Sequence, residues 1–576
     1  MEPVNRRRWQ ERPPLLNPVE EQKLASVLNL RPLTVSVLVR RGIDREANAR
    51  QFLDGGLNTL PDPFLLKGME AATTRLQQAI GKGETILVHG DYDVDGISGS
   101  ALLVEGIKKL GGTVDYHIPL RLRDGYGLSA EALQQAAQGG IRVVLSVDCG
   151  ISACDEAELA RRLGIDLIIT DHHQPPEQLP EATAIINPHQ PGCEFPFKAL
   201  AGVGVAFFLL VALRKRLRET GYFSQRPEPD LRHSLDLVAL GTIADIVPLH
   251  GVNRLLTRTG LSLLEMSRRP GVVALKEVAG VDQVSCGSVG FRLAPRLNAA
   301  GRLEDAALGV ELLLGTEKDR CDAIADQLDS CNRERQQIEQ ETCDAAVKLV
   351  ADLPDERRTL VLAQQGWHPG VIGIVASRMV ERYARPAVLI ALEGESGKGS
   401  ARSVAGFHLY KALQSCSEYL DAFGGHAFAA GLSLATARLE DFVVAFEAKA
   451  AALDEEALTP LLQHDGEVRL DELDIALLNE IERLAPFGAG NAEPAFIATG
   501  LRAQQVRLIG SDQSHLACTL RQDGFSHAAI GFGMARRREE FEGEIDILFT
   551  PQRNDWKGRT TLQLRIRDIR PSQSLP

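Results

Sequence analysis

Thr85-Ile-Leu-Val-His89-Gly-Asp91-Tyr-Asp93-Val-Asp95-Gly96 sets a histidine and three aspartates directly after an uninterrupted apolar run. The run is short, β-branched and free of proline, which predicts a buried strand. Three carboxylates crowded at its carboxyl end are costly unless a cation sits among them. Oxygen-rich sites with a histidine suit Mg²⁺ or Mn²⁺. Asp-x-Asp-x-Asp-Gly also opens a calcium loop, but the twelfth position counted from Asp91 is Leu102, which cannot ligate, and a strand precedes the motif. For one such segment alone, a solvated acidic turn is the bland alternative.

The pattern recurs. Residues 141–147 read as an apolar strand ending on Asp148-Cys149-Gly150, and 165–170 as another ending on Asp171-His172-His173. The apolar segment that starts at Asp236 puts Asp245 at its end. Residues 97–110, 130–138 and 154–163 have helical apolar spacing. Strand–helix alternation predicts an α/β fold whose parallel sheet binds ligands outside the carboxyl ends of its strands. Four acidic strand ends on one edge are expected to form a metal site.

The set Asp93-x-Asp95, Asp148, Asp171-His172-His173 and Asp245 resembles the motif series of the DHH phosphoesterase superfamily. Leu200-Ala-Gly-Val-Gly-Val-Ala206, Ala294-Pro-Arg296-Leu-Asn298-Ala-Ala-Gly301-Arg302, Trp367-His368-Pro-Gly-Val-Ile-Gly-Ile374 and Gly424-Gly425-His426-Ala-Phe-Ala-Ala-Gly431 extend the likeness to the RecJ family. Those proteins are bacterial nucleases that degrade single-stranded DNA from its 5′ end, and the resemblance runs over residues 30–569. It implies two divalent cations, Mn²⁺ or Mg²⁺, held mainly by Asp93, Asp95, Asp148, His172 and Asp245, with Asp148 the shared carboxylate. His89 stands at the spacing where related pyrophosphatases place a further ligand. Asp91 is either a ligand or the group that orients that histidine or a water. Catalytic roles fall to Asp93, Asp95, Asp148, His172, His173 and Asp245, with His173 on the scissile phosphate and Asp171 supporting the neighbouring histidine. Two cations roughly 3.5–4 Å apart acidify a water and neutralise phosphate charge, so no side-chain nucleophile is required. The family's product is a 5′-mononucleotide, and its setting is DNA repair and recombination.

At 576 residues the chain is expected to hold several domains. The reading is an N-terminal arm over 1–45, a DHH catalytic α/β domain over 46–250, a helical region with a long connecting helix over 251–352, a DHHA1 substrate-binding domain over 353–456, and an OB-fold DNA-binding domain over 464–570. The fold class is thus two parallel-sheet α/β domains joined by a long helix and followed by a β-barrel. Residues 316–351 have helical spacing without proline or glycine. A helix there would set two α/β units across a groove too narrow for a duplex. In 464–570, strand-like runs at 468–470, 501–508, 515–521, 527–531, 544–550 and 560–566 suggest the barrel, with Trp556 in a hairpin loop as a stacking candidate.

A net charge of −13 runs against nucleic-acid binding, so basic groups must be segregated. Candidates are Arg121, Arg123, Arg296, Arg302, Arg378, Lys398 and Arg402. Arg296 and Arg302 are read as a turn presenting guanidinium and amide groups, with Asn298, to a phosphate. Ser400, Arg402, His368 and the Gly424-Gly425-His426 segment are the phosphate candidates of the second α/β unit. Nine cysteines without Cys-x-x-Cys pairs read as reduced thiols of a cytoplasmic protein. The apolar run at 204–213 is too short to cross a bilayer, and 5–8 leads to no hydrophobic segment. A monomer is expected, with single-stranded DNA as partner and, from the family, a single-strand-binding protein and a helicase. The alternative is a DHH/DHHA1 phosphodiesterase acting on short oligonucleotides or cyclic dinucleotides.

Overall fold

The computed structural model describes residues 7–120, 127–303, 305–556 and 558–572. Arg121 and Arg123 lie outside them. Two compact units emerge: Gln51–Glu334 with Ala485–Ala492, and Met1–Arg50 with Arg335–Leu484 and Glu493–Pro576. The helix Lys318–Ala351 contributes residues to both.

The earliest strand, β1 (Arg8–Glu11), belongs to the second of these units. The first unit is built on a wholly parallel sheet of β2 (Thr85–Gly90), β3 (Thr113–His117), β4 (Val143–Val147), β5 (Asp166–Thr170) and β6 (Ala184–Ile186), in the order β3-β2-β4-β5-β6. Its register matters for the site. Gly90, Val147 and Thr170 are direct partners across β2, β4 and β5. Asp91, Asp148 and Asp171 each follow one of them, so three carboxylates leave the sheet at one level. Helices Val94–Lys109, Gly202–Glu219 and Leu235–Ala244 are buried along most of their length against this sheet and one another. A helix hydrophobic all round belongs inside a core.

Two expectations for this unit are corrected. The segment before Asp245 is the helix Leu235–Ala244, not a strand, so the fourth carboxylate arrives on a helix end. All nine residues Leu235–Ile243 are buried, which erases the periodicity that separates helix from strand. The Arg296–Arg302 stretch lies in the helix Ala294–Leu303, not in a turn.

The second unit carries β7 (Leu360–Gln365), β8 (Ala387–Glu393), β9 (Ser396–Arg402), β10 (Ala422–Gly425) and β11 (Ala429–Ala435), in the order β10-β11-β9-β8-β7. The parallel pairing holds for β7 and β8, which the helix Ile372–Tyr383 connects. Beyond β8 every pairing is antiparallel, because tight turns rather than helices join β8 to β9 and β10 to β11. β12 (Leu461–His464) pairs in parallel with β1. A closed barrel follows, of β13 (Phe496–Ile509), β14 (His515–Gln522), β15 (Phe525–Gly531), β16 (Glu544–Trp556) and β17 (Arg559–Pro571). It has five strands; the run at 468–470 leads into a short 3-10 turn instead, with only a single bridge from Glu467 to Ile497 beside it.

Side chains near the start of the described residues are tied to later parts of the same unit. Trp9 Nε1 donates to Asp568 at 2.7 Å, the Arg570 guanidinium lies 4.2 Å from the Trp9 ring centre, and Thr34 Oγ1 donates to Glu480 at 2.6 Å. All nine cysteines are free thiols. No helix among the described residues is long and apolar enough to cross a membrane.

Candidate metal centre

Asp93 is the N-cap of the helix Val94–Lys109: its Oδ1 accepts the N–H groups of Asp95 at 2.9 Å and Gly96 at 3.1 Å. An aspartate at this position satisfies N–H groups that the first helical turn leaves without partners. Asp95, in the first turn, is almost fully buried. Its two oxygens accept N–H groups from Gly202 at 2.6 Å and Val203 at 2.8 Å, the first residues of the helix Gly202–Glu219. Gly241, on the third helix, gives Asp95 room, since a β-carbon there would lie 2.8 Å from its Oδ1.

Asp148 and Asp245 are held by unusual backbone. Asp148 takes φ +63°, in the left-handed region that aspartate tolerates better than most residues. Asp245 is followed by Ile246 at φ +61°, a strained setting for a β-branched side chain.

The side chains converge. His172 Nε2 stands 3.1 Å from Asp148 Oδ1, 3.6 Å from Asp245 Oδ2 and 3.9 Å from Asp95 Oδ2. Three sets of ligand atoms, each within 4.8 Å of one another, result: Asp91–Asp93–Asp148, Asp95–His172–Asp245 and Asp148–His172–His173. Asp148 and His172 each belong to two.

Asp171 does different work. Its Oδ1 accepts the N–H groups of His172 at 2.7 Å and His173 at 3.0 Å and meets His173 Nδ1 at 2.8 Å, while its Oδ2 accepts the Ile151 N–H at 2.9 Å. Both of its oxygens are engaged, and it belongs to none of the three sets. His89 is absent from all three sets; its Nε2 accepts the Ser129 N–H at 3.3 Å, and its ring lies 5.2 Å from that of His117. Asp91, by contrast, belongs to one of the sets.

The electrostatics describe a site short of positive charge. Burial, then the Asp93 charge, lifts the Asp95 pKa to about 7. Burial, then Asp95, lifts Asp245 to about 9, and the same two causes raise Asp148 well above the carboxylate range. Burial, then the neighbouring His173, lowers His172 to about 4, which leaves it a neutral imidazole. His173 is opposed by burial, but its hydrogen bond to Asp171 and that residue's charge carry it up to about 9. Asp171 is opposed by burial too, and the His173 hydrogen bond and charge hold it below its ordinary value.

These residues fit divalent metal. Repelling carboxylates, a neutral imidazole and no thiolate make a donor set for hard cations. Among the described residues, His172 Nε2 and Asp245 Oδ2 are buried and find no hydrogen-bond partner, which suits atoms that ligate.

The helix Ala294–Leu303 braces the acidic loop. Asn298 Oδ1 accepts the Val94 N–H at 3.2 Å, and a β-carbon on Gly301 would lie 2.5 Å from the Tyr92 carbonyl oxygen. Arg296 is occupied, with Nε 2.9 Å from Asp329 and a further hydrogen bond to the Arg292 carbonyl at 2.6 Å. Presenting it to a phosphate would cost that ion pair. Arg302 sits half-buried on the same helix.

In the second unit, Ser400, Gly431 and Gly424 are partners in one row across β9, β11 and β10. Arg402, two residues along β9, bonds Ser400 Oγ at 3.3 Å and the Ala401 carbonyl at 2.8 Å. Among the described residues it has no carboxylate partner, and burial alone lowers its pKa. Gly373, in the first turn of the helix Ile372–Tyr383, lets both approach: a β-carbon there would meet Ser400 Oγ at 2.9 Å and the Arg402 guanidinium at 3.3 Å. His368 Nδ1 accepts the Gly370 N–H at 3.1 Å just before that helix. Gly424, Gly425, His426 and Lys398 are exposed. Arg378 is paired with the buried Glu339 of the long helix. Trp556 ends β16, and its side chain lies outside the described residues.

Sequence reasoning did not assign roles to Gly202, Val203 and Gly241. The Leu200–Ala206 segment was visible as a motif, but a backbone N–H aimed at a carboxylate more than a hundred residues away leaves no signal in residue type.

Residues 85–242 match the DHH family, N-terminal domain, 356–452 the DHHA1 domain, and 464–568 the RecJ OB domain. The parallel sheet edge, its carboxylates and the paired histidines make this a protein of the DHH family. It is 38% identical to the single-stranded-DNA-specific exonuclease RecJ of Bacillus subtilis, with 99% of this chain and 72% of that one covered. With the exonuclease of the same name from Dickeya dadantii it shares 40% identity over 94% of this chain and 97% of the other. RecJ from Thermus thermophilus in complex with Mn²⁺ has a TM-score of 0.83 at 31% identity, covering 99% of this chain and 80% of that chain. The Mg²⁺ complex has a TM-score of 0.77 at 30% identity, covering 98% and 79%. The chain belongs to the RecJ family.

Proposed function

We propose that this chain is a metal-dependent exonuclease that degrades single-stranded DNA from the 5′ end to 5′-mononucleotides, in DNA repair and recombination. The observation that carries the reading is the convergence on His172 of three carboxylates from separate elements: Asp148 at 3.1 Å, Asp245 at 3.6 Å and Asp95 at 3.9 Å. Asp91, Asp93 and Asp148 would hold one cation and Asp95, His172 and Asp245 the other, with Asp148 placed to serve both. When bound, two divalent ions supply Lewis acidity, making a water more acidic and offsetting charge on the attacked phosphate.

The chain's own residues do the rest. Asp171 keeps His173 oriented and protonated, so that it meets a phosphate oxygen as a charged donor. Gly202 and Val203 fix the Asp95 carboxylate through main-chain N–H groups. In the second unit, Arg402 and Ser400 offer a half-buried cation and a hydroxyl beside a helix N-terminus, an arrangement suited to a phosphate of the strand. A single-strand-binding protein and a helicase are the protein partners of this reading.

The test is digestion with Mn²⁺ or Mg²⁺ of single-stranded, duplex and circular DNA, the linear substrates labelled at either end. Stepwise loss from the 5′ end of the single strand alone is expected, and none with Asp93→Ala or Asp148→Ala. Intact long strands with cleaved dinucleotides would move the assignment to a small-substrate phosphodiesterase.

A further inference from the structure

β17 carries a bulge. Opposite it on β16, Leu548 pairs with Asp568 and Phe549 with Ile566, so Arg567 has no partner across the ladder. Such an extra residue interrupts the alternation of a strand and re-aims its side chain. Arg567 lines a cavity of 530 Å³, whose wall Arg7, Arg12, Gln463 and three leucines complete. Ligand pockets commonly measure about 300–1,000 Å³, so a nucleotide-sized group fits. Three guanidinium groups line it and no carboxylate does. In a chain of net charge −13, this is a local reversal of sign.

Arg12 is tied to the buried Asp465 at 2.7 Å. Arg567 makes no ion pair among the described residues. Burial, then the charge of Arg565, hold its pKa below the usual value; Arg12 adds to this, and the charges of Glu493 and Asp465 offset it only in part. A half-buried cation beside like charges is stabilised by an anion.

We propose that this cavity binds a backbone phosphate of single-stranded nucleic acid, as a contact belonging to the barrel and the β1–β12 pair and not to the metal centre. The inference rests on the nuclease reading. No aromatic side chain lines the cavity, so base stacking has no platform there. Recognition runs through arginine forks on phosphate and is independent of sequence. It therefore weakens with salt.

The experiment uses the full chain in chelator, with fluorescence anisotropy of a labelled single strand of about thirty nucleotides, long enough to span several contacts, across a salt titration. Arg567→Gln is expected to bind about three- to tenfold more weakly, with a log–log salt slope shallower by about 0.7. Arg567→Lys keeps the slope, and hydrolysis of a dinucleotide with Mn²⁺ is unchanged in both variants. Wild-type affinity and slope in Arg567→Gln would overturn the proposal, as would a loss of dinucleotide hydrolysis in step with strand binding. Polyglutamate that outcompetes the strand on the wild type but not on Arg567→Gln would give the cavity to an acidic protein partner, and overturn it as well. A wild type that neither binds nor degrades the strand would instead refute the nuclease reading itself.

Discussion

Gly202 and Asp148 share a space that admits no β-carbon: one built on Gly202 would lie 2.7 Å from the Asp148 Cβ and 2.7 Å from its Oδ1. The same glycine donates its N–H to Asp95 at 2.6 Å. One residue without a side chain thus spaces two carboxylates brought from different elements, and the metal centre depends on it although it ligates nothing.

Gly202→Ala should displace Asp148 while leaving the helix intact, since alanine favours helix more than glycine does. Mn²⁺ affinity is expected to fall about 10- to 100-fold, the usual effect of disturbing groups that orient ligands. Calorimetric titration measures it. Unchanged affinity with a lowered melting temperature would assign Gly202 to packing alone.

Metal removal should expose a pH dependence. Asp95 titrates near 7 and Asp245 near 9 in the folded chain, against an ordinary 3.8. The folded state keeps protons that the unfolded chain has already released, so their stabilisation is complete below pH 3.8 and is lost as pH rises through those folded values. Stability in chelator should fall between about pH 4 and pH 9, by at most about 1.4 kcal/mol per pH unit per group. Melting temperatures across that range read it out. Saturating Mn²⁺ should flatten the curve, and Asp245→Asn should raise the chelated melting temperature at the alkaline end.

Asp171→Asn should release His173. Its pKa stands at about 9 because of Asp171, and the amide carries no charge to hold it there. The alkaline limb of the pH–kcat/KM profile is expected to move down by about one to two units, on the order of an ion-pair shift. An unmoved limb would remove His173 from the chemistry.

Arg402→Ala should raise KM with little change in kcat, because the residue sits on β9 and belongs to none of the ligand sets. With no carboxylate to strand, the variant should melt within about 0.5 kcal/mol of wild type. A marked stability loss at wild-type KM would make Arg402 structural.

The first sheet was legible because each strand is a short apolar run with an acidic terminus. The helices Ala130–Gln138 and Cys154–Leu163 carry one exposed face each, which keeps their period readable. Leu235–Ala244 has no such face, and it passed for a strand. β9, Ser396–Arg402, is too rich in glycine and serine to announce a strand, so the antiparallel half of the second sheet was not foreseen. At the site, residue types that ligate were visible in the chain, whereas their mutual use was not. Spacing singled out His89 and composition Arg296, but only geometry reveals the Ser129 N–H at the one and the Asp329 carboxylate at the other.

The pairing of β1 with β12 has a bearing on how the chain is made. Arg8–Glu11 cannot find Leu461–His464 until more than four hundred further residues have left the ribosome. At about 5–20 residues per second, that is a wait of roughly 20 to 90 s. Asp91 through Asp245 emerge well within it, so the acidic sheet edge can assemble during synthesis while the first strand stays unpaired. A nascent chain stalled before β12 would then carry the ligand cluster but leave Trp9 and its neighbours open to protease, and completion of the barrel would close them.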